Sequence, residues 1–99
     1  MTIKFTRKIG QNRGKPRLWI EGKHLIDSGL THGTMWDLRP NETGFEIVAT
    51  ASGKRRIAGK PDRPIVDING EKPLGLCAKC ETVTVSYVPG SGHMTVTKG

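Results

Sequence analysis

Covalent and membrane scaffolding are both missing from this chain. It holds two cysteines, Cys77 and Cys80, in 99 residues, too few for the disulfide framework on which small secreted domains rely. No apolar run approaches the ~18 residues of a membrane helix. Met1 to Ile9 carries charge but no apolar stretch, so no secretory signal is expected there. Asn41-Glu42-Thr43 has the form of a glycosylation sequon, which carries no weight without such a signal. The expected compartment is the cytoplasm. At 99 residues the chain makes one domain, and folding buries only somewhat more than ~60% of its unfolded surface, a thin margin.

Residues for catalytic or metal chemistry are equally sparse. Cys77-Ala78-Lys79-Cys80 is a single CxxC, whereas structural zinc takes four ligands. His24, His32 and His93 are the only histidines, and none shows HxxxH spacing. The expectation is reduced thiols, no metal and no cofactor. Ser52-Gly53-Lys54 is similar to the end of a phosphate loop, but the loop requires glycine where Val48 stands. The acids are scattered and none pairs with a histidine at a telling spacing, so no catalytic residues and no enzyme are expected.

Acids are also few in number. Nine Asp and Glu face 16 Lys and Arg, for a net charge of +7. Residues 1–17 hold Lys4, Arg7, Lys8, Arg13, Lys15 and Arg17 with no acid. Residues 54–63 hold Lys54, Arg55, Arg56, Lys60 and Arg63 against Asp62 alone. These two segments carry 11 of the 16 cations, and the remainder of the chain is net acidic. Two concentrated patches are the footprint of a polyanion site.

What the chain has in quantity is β-type alternation punctuated by 13 glycines. Ile3-Lys4-Phe5-Thr6-Arg7-Lys8-Ile9 alternates as a strand does. Gly10 to Pro16 reads as a turn, and Leu18-Trp19-Ile20 as a short strand. Gly22 to Gly29 fits a two-turn helix that directs Leu25, Ile26 and Leu30 inward and is capped by Gly29. Thr34–Leu38 and Phe45–Val48 read as a hairpin across Pro40–Gly44. Five aromatics are present, Phe5, Trp19, Trp36, Phe45 and Tyr87. Their expected use is core packing, with Trp19 the best candidate for an exposed recognition residue.

The pattern then repeats. A gapless shift of 48 residues aligns 45 pairs, eight of them identical: Arg7, Ile9, Pro16, Ile20, Gly22, Thr34, Gly44 and Val48 fall on their own kind. The matches sit on turn residues, strand residues and cations, which set a backbone path. The repeats span residues 5–51 and 53–99 of a single domain. Ile65–Ile68 is then a strand, Lys72–Leu76 a helix shortened by Pro73 and Gly75, and Thr82–Val88 with Met94–Thr97 a second hairpin. Two copies packed about a pseudo-two-fold axis would bring Arg7, Lys8 and Lys15 to the same side as Arg55, Arg56 and Arg63.

The unit carried by Arg7-Lys8-Ile9, Leu18-Trp19-Ile20-Glu21-Gly22, Leu25, Ser28-Gly29-Leu30, Gly33-Thr34 and Phe45-Glu46-Ile47-Val48 resembles the AbrB/SpoVT swapped-hairpin superfamily, closest to its SymE-like branch. The resemblance covers residues 5–49 well, and residues 53–97 through the repeat. It implies a mainly β (α+β) fold in which two βαββ repeats form an intramolecular swapped-hairpin pseudo-dimer. It also implies double-stranded DNA as partner, and a role in transcription regulation as an autorepressor near the nucleoid. The contacts would come from Arg7, Lys8, Arg13, Lys15 and Arg17, with Lys54, Arg55, Arg56, Lys60 and Arg63 from the second copy. Two rivals use the same cations: a phage- or bacteria-encoded interaction protein that blocks a protein partner or a nucleic-acid complex, and a SymE-like toxin acting on RNA. Whether pseudo-dimers pair again into a homodimer stays open. The unequal second helix, damaged by Pro73 and Gly75, leaves room for an asymmetric DNA site or a protein partner.

Overall fold

The computed structural model describes residues 1–98. The elements run β1 (Ile3–Lys8), β2 (Gly10–Asn12), β3 (Lys15–Glu21), α1 (Lys23–Ser28), β4 (Met35–Asn41) and β5 (Gly44–Ala49). They continue with β6 (Arg55–Arg56), β7 (Ala58–Lys60), β8 (Arg63–Asn69), α2 (Glu71–Leu74), a 3-10 turn (Gly75–Cys77), β9 (Thr82–Tyr87) and β10 (His93–Lys98). The class is mainly β, and every strand pair is antiparallel.

Six strands form one sheet in the order β1-β9-β10-β5-β4-β6, and four form a second in the order β2-β3-β8-β7. Each edge of the first sheet feeds an edge of the second. β1 runs into β2 through Ile9, whose N–H donates to Glu81 O at 2.9 Å. β6 runs into β7 through Ile57, whose N–H donates to Thr34 O at 2.9 Å. The pairs β1–β9, β5–β10, β4–β6 and β3–β8 each join a strand before residue 50 to one after residue 54. β3 and β8 have equal length, start 48 residues apart, and meet with Trp19 directly opposite Asp67.

Alternation explains the core. Leu18 and Ile20 of β3 and Val66 and Ile68 of β8 point inward, while their neighbours point out. The larger sheet closes over them with Trp36, Phe45, Ile47, Val83, Val85, Tyr87, Met94 and Val96. Leu25, Leu30, Leu74 and Cys77 are fully buried in the same cluster. Removing one such aliphatic side chain from water is worth roughly 1.5–3 kcal/mol.

Helix α1 has no side-chain N-cap and depends on its far end. Gly29 takes the left-handed conformation at φ 92° and returns its N–H to Ile26 O. The β9–β10 turn clasps this end: the Gly90 N–H donates to Asp27 O at 2.8 Å, and the Gly92 N–H to Ser28 O at 2.6 Å. Side chains fasten the helix as well. His24 stacks on Phe5 with ring centroids 3.9 Å apart, and Tyr87 Oη donates to Asp27 Oδ2 at 2.8 Å.

Four local expectations shift. Gly10–Pro16 is a hairpin rather than a turn alone, because Arg13 and Gly14, at φ 55° and 78°, supply the two positive angles of a tight two-residue reversal. Pro40 and Asn41 continue β4, so the first hairpin turns at Glu42-Thr43 only. Ile26 is exposed, because α1 turns Leu25 inward instead, and Leu30 is buried just beyond the helix. β6 keeps two residues of the six in β1: the chain turns at Ala51-Ser52, and Gly53 lies flat on Trp36, where a Cβ would come within 2.5 Å of the backbone N.

Candidate nucleic-acid interface

The outer face of the four-stranded sheet follows from the same alternation that builds the core. Lys15, Arg17, Trp19 and Glu21 project from β3, and Arg63, Ile65, Asp67 and Asn69 from β8. Asn12 lies opposite Lys15, and Lys60 opposite Arg63, so β2 and β7 extend the same face. Because β3 and β8 are antiparallel about the Trp19–Asp67 pair, their hairpins reach opposite ends of the sheet. Arg13 and Lys15 stand at one end, Lys60 and Arg63 at the other, all exposed. Lys15 and Arg63 are each four residues from the central pair. At ~3.3 Å per residue they lie roughly 26 Å apart along the strands, nearly the 30 Å extent of the molecule.

The centre of the face is a network. Arg17 holds Asp67 through two bonds, Nε to Oδ1 at 2.8 Å and Nη2 to Oδ2 at 2.9 Å. Asn69 Nδ2 donates to Asp67 Oδ1 at 2.8 Å, and Asn12 Nδ2 donates to Asn69 Oδ1 at 3.0 Å. The Arg17 guanidinium lies over the Trp19 ring, 4.4 Å from its centroid. Its hydrogen bonds hold the Asp67 carboxyl below the usual carboxylate range, against the opposing effect of burial. Arg17 is thus committed inside the protein, and Trp19 remains 37% exposed.

Comparison with protein-family models, curated proteins and solved structures finds no match to this chain.

The remaining cations occupy the borders between the sheets. Lys8, Lys54 and Arg56 are exposed, whereas Arg7 and Arg55 are half-buried. Arg7 lies over the Phe5 ring at 4.6 Å and donates to Thr6 O, and Arg55 lies over Trp36 at 5.4 Å. β1 and β6 form opposite edges of the larger sheet, so these two groups flank the four-stranded face rather than merge. The backbone of Lys54 is tied down by Asp37 Oδ1, which accepts from its N–H at 2.9 Å.

Of the ten cations named from the sequence, Arg13, Lys15, Lys60 and Arg63 stand exposed at the two ends of the four-stranded face, Arg17 is paired with Asp67, and Arg7, Lys8, Lys54, Arg55 and Arg56 lie at the borders. The Asp67–Asn69–Asn12 support beneath Arg17 was not foreseen. A signal was present: the 48-residue shift superposes Trp19 on Asp67, and equivalent residues on two strands crossing a two-fold axis face one another. The two cysteines are free. Burial pushes the Cys77 thiol up, so it resists forming the thiolate. No group of three or more His, Cys, Asp or Glu among the described residues is arranged to hold a metal ion.

Proposed function

We propose that the chain is a single-chain counterpart of an AbrB-type swapped-hairpin dimer and binds duplex DNA as a transcription regulator. The observation that carries this reading is the pair of exposed basic hairpins at opposite ends of one four-stranded face, arranged about the Trp19–Asp67 pair. The crossed pairing of β1 with β9 and β4 with β6 supports the fold part. A two-fold arrangement of cations suits a duplex, whose two strands are themselves related by two-fold symmetry. The ~26 Å between hairpins, lengthened by the reach of Lys and Arg, approaches the ~34 Å of one duplex turn.

Phosphate contact supplies affinity through counterion release, so binding must fall steeply with salt. With about four to six phosphates engaged, affinity for a labelled duplex drops on the order of 10²–10³-fold between about 50 and 200 mM salt. Fluorescence anisotropy at several salt concentrations reads this slope. The double variant Lys60→Ala, Arg63→Ala flattens the slope by about two contacts. Selectivity for a fragment from the protein's own upstream region over a scrambled one identifies the regulator role. Weak, equal binding to all nucleic acids would instead direct attention to a protein partner.

A further inference from the structure

We propose that the groove beside Trp19 is a stacking site for one unpaired nucleobase of a nucleic-acid strand. This goes beyond duplex binding. The groove has a volume of about 510 Å³ and is lined by Trp19, Glu21, Lys60, Asp62, Arg63 and Ile65. An indole forms one wall, and an aliphatic side chain adds to the apolar lining. Lys60 and Arg63 make no ion pair or side-chain hydrogen bond among the described residues, and neither do Glu21 and Asp62. A base stacks on the indole as any base does on an aromatic face. The two carboxylates then suit the exocyclic amino group that adenine, cytosine and guanine carry, and the two cations suit the flanking phosphates.

Three observations favour this occupant. First, folding does not require an aromatic here, since the residue facing Trp19 across the axis is Asp67. Second, the indole is held in place: Arg17 covers it at 4.4 Å and is itself clamped twice by Asp67. A fixed aromatic loses little conformational freedom on binding. Third, the face is too broad to carry Trp19 to paired bases. Four strands at ~4.8 Å spacing put the outer backbones about 14 Å apart, wider than the ~12 Å major groove. A base outside the stack can reach the indole where a paired base cannot. The corresponding groove at the other end is lined by Gly14–Pro16 and Asn69–Pro73 and has no aromatic, so the site is present at one end only.

The test uses two DNA duplexes of the same sequence, one fully paired and one carrying a single unpaired base at its centre. Anisotropy gives affinity, and tryptophan emission reports on Trp19, because Trp36 is buried and contributes a constant background. The expected result is at least about tenfold tighter binding of the bulged duplex, with quenched emission. Trp19→Ala brings the ratio of the two affinities to about one, and Trp19→Phe keeps part of it. Equal, salt-dependent binding of both duplexes by the native chain overturns the stacking site and leaves the duplex reading in place. Binding of the bulged duplex alone supports the stacking site and overturns the duplex reading. A preference that survives in Trp19→Ala overturns the assignment to Trp19, and binding to neither duplex overturns both proposals.

Discussion

Tyr87 is the only tyrosine, and its surroundings set its chemistry. It is buried at the end of β9, and its hydroxyl donates to Asp27 Oδ2 at 2.8 Å. A phenol has one proton to give, so the 3.0 Å contact with His24 assigns the donor role there to Nδ1–H. Desolvation, reinforced by the hydrogen bond to Asp27 and its negative charge, pushes the phenol up to about 12. Absorbance titration of the folded chain should therefore show phenolate forming near pH 12, and near pH 10 in denaturant. The folded state holds this proton more tightly than the unfolded state does. The linked stability is fully present below pH 10 and is lost as pH rises from 10 toward 12. A folded-state midpoint near 10 would mean that the hydroxyl is solvated and that α1 is not docked. Spacing in the sequence offered no route to this cluster: Phe5, His24 and Asp27 come from the first third of the chain and Tyr87 from its last, and the β1–β9 pairing together with the clasp of the β9–β10 turn on α1 unites them.

At the scale of elements, glycine shows how much was local and how much was not. The cap at Gly29 was legible from a helical pattern ending in glycine. Its second duty was not, because the β9–β10 turn that rests on it comes about 60 residues later. Gly14 has a similar positive φ but open space around it, whereas a Cβ at Gly29 would meet Gly92 N at 3.1 Å and Gly90 C at 3.4 Å. Gly14→Ala should cost only the backbone term of about 1–2 kcal/mol. Gly29→Ala should cost more, about 2–4 kcal/mol in all, by adding pressure on the clasping turn. Thermal melts separate the two, since ~1 kcal/mol moves the midpoint by about 4–8 °C in a domain this small. Equal losses would show that the turn gives way freely. Strand identities were legible because each alternates over its own few residues. The two-residue length of β6 was not, since it is set by Gly53 meeting Trp36 across the sheet. Arg55 is thereby set opposite Trp36, whereas Arg7, its counterpart in the repeat, lies opposite Val83, the counterpart of Met35. No comparison of charges along the chain could have revealed that one-residue slip.

For the molecule as a whole, neither half closes a core alone. Leu18 and Ile20 lie across from Val66 and Ile68, and Phe45 and Ile47 from Met94 and Val96, each pair bridging the two halves. A chain divided in the exposed turn between Ala51 and Ser52 should yield two segments that are each unfolded as monomers and that restore the native structure when mixed. In a Trp19→Phe background Trp36 provides the readout: its emission should be red-shifted in residues 1–51 alone and return to that of the buried side chain when residues 52–99 are added. Native emission from dilute, monomeric 1–51 would show that the first half folds by itself and that the crossed pairing is incidental. Salt sharpens the test. Residues 1–51 carry eight cations and five acids, and residues 52–99 carry eight cations and four acids, so the halves bear like net charges of +3 and +4. Screening that repulsion should strengthen their association, whereas the same salt should weaken the phosphate contacts proposed above for the intact chain. The covalent link offsets the repulsion without removing it, because it holds one half at an effective concentration that separate segments do not reach. Joining two basic units in one chain is thus a physical route to a concentrated cationic surface that two free copies would assemble less readily.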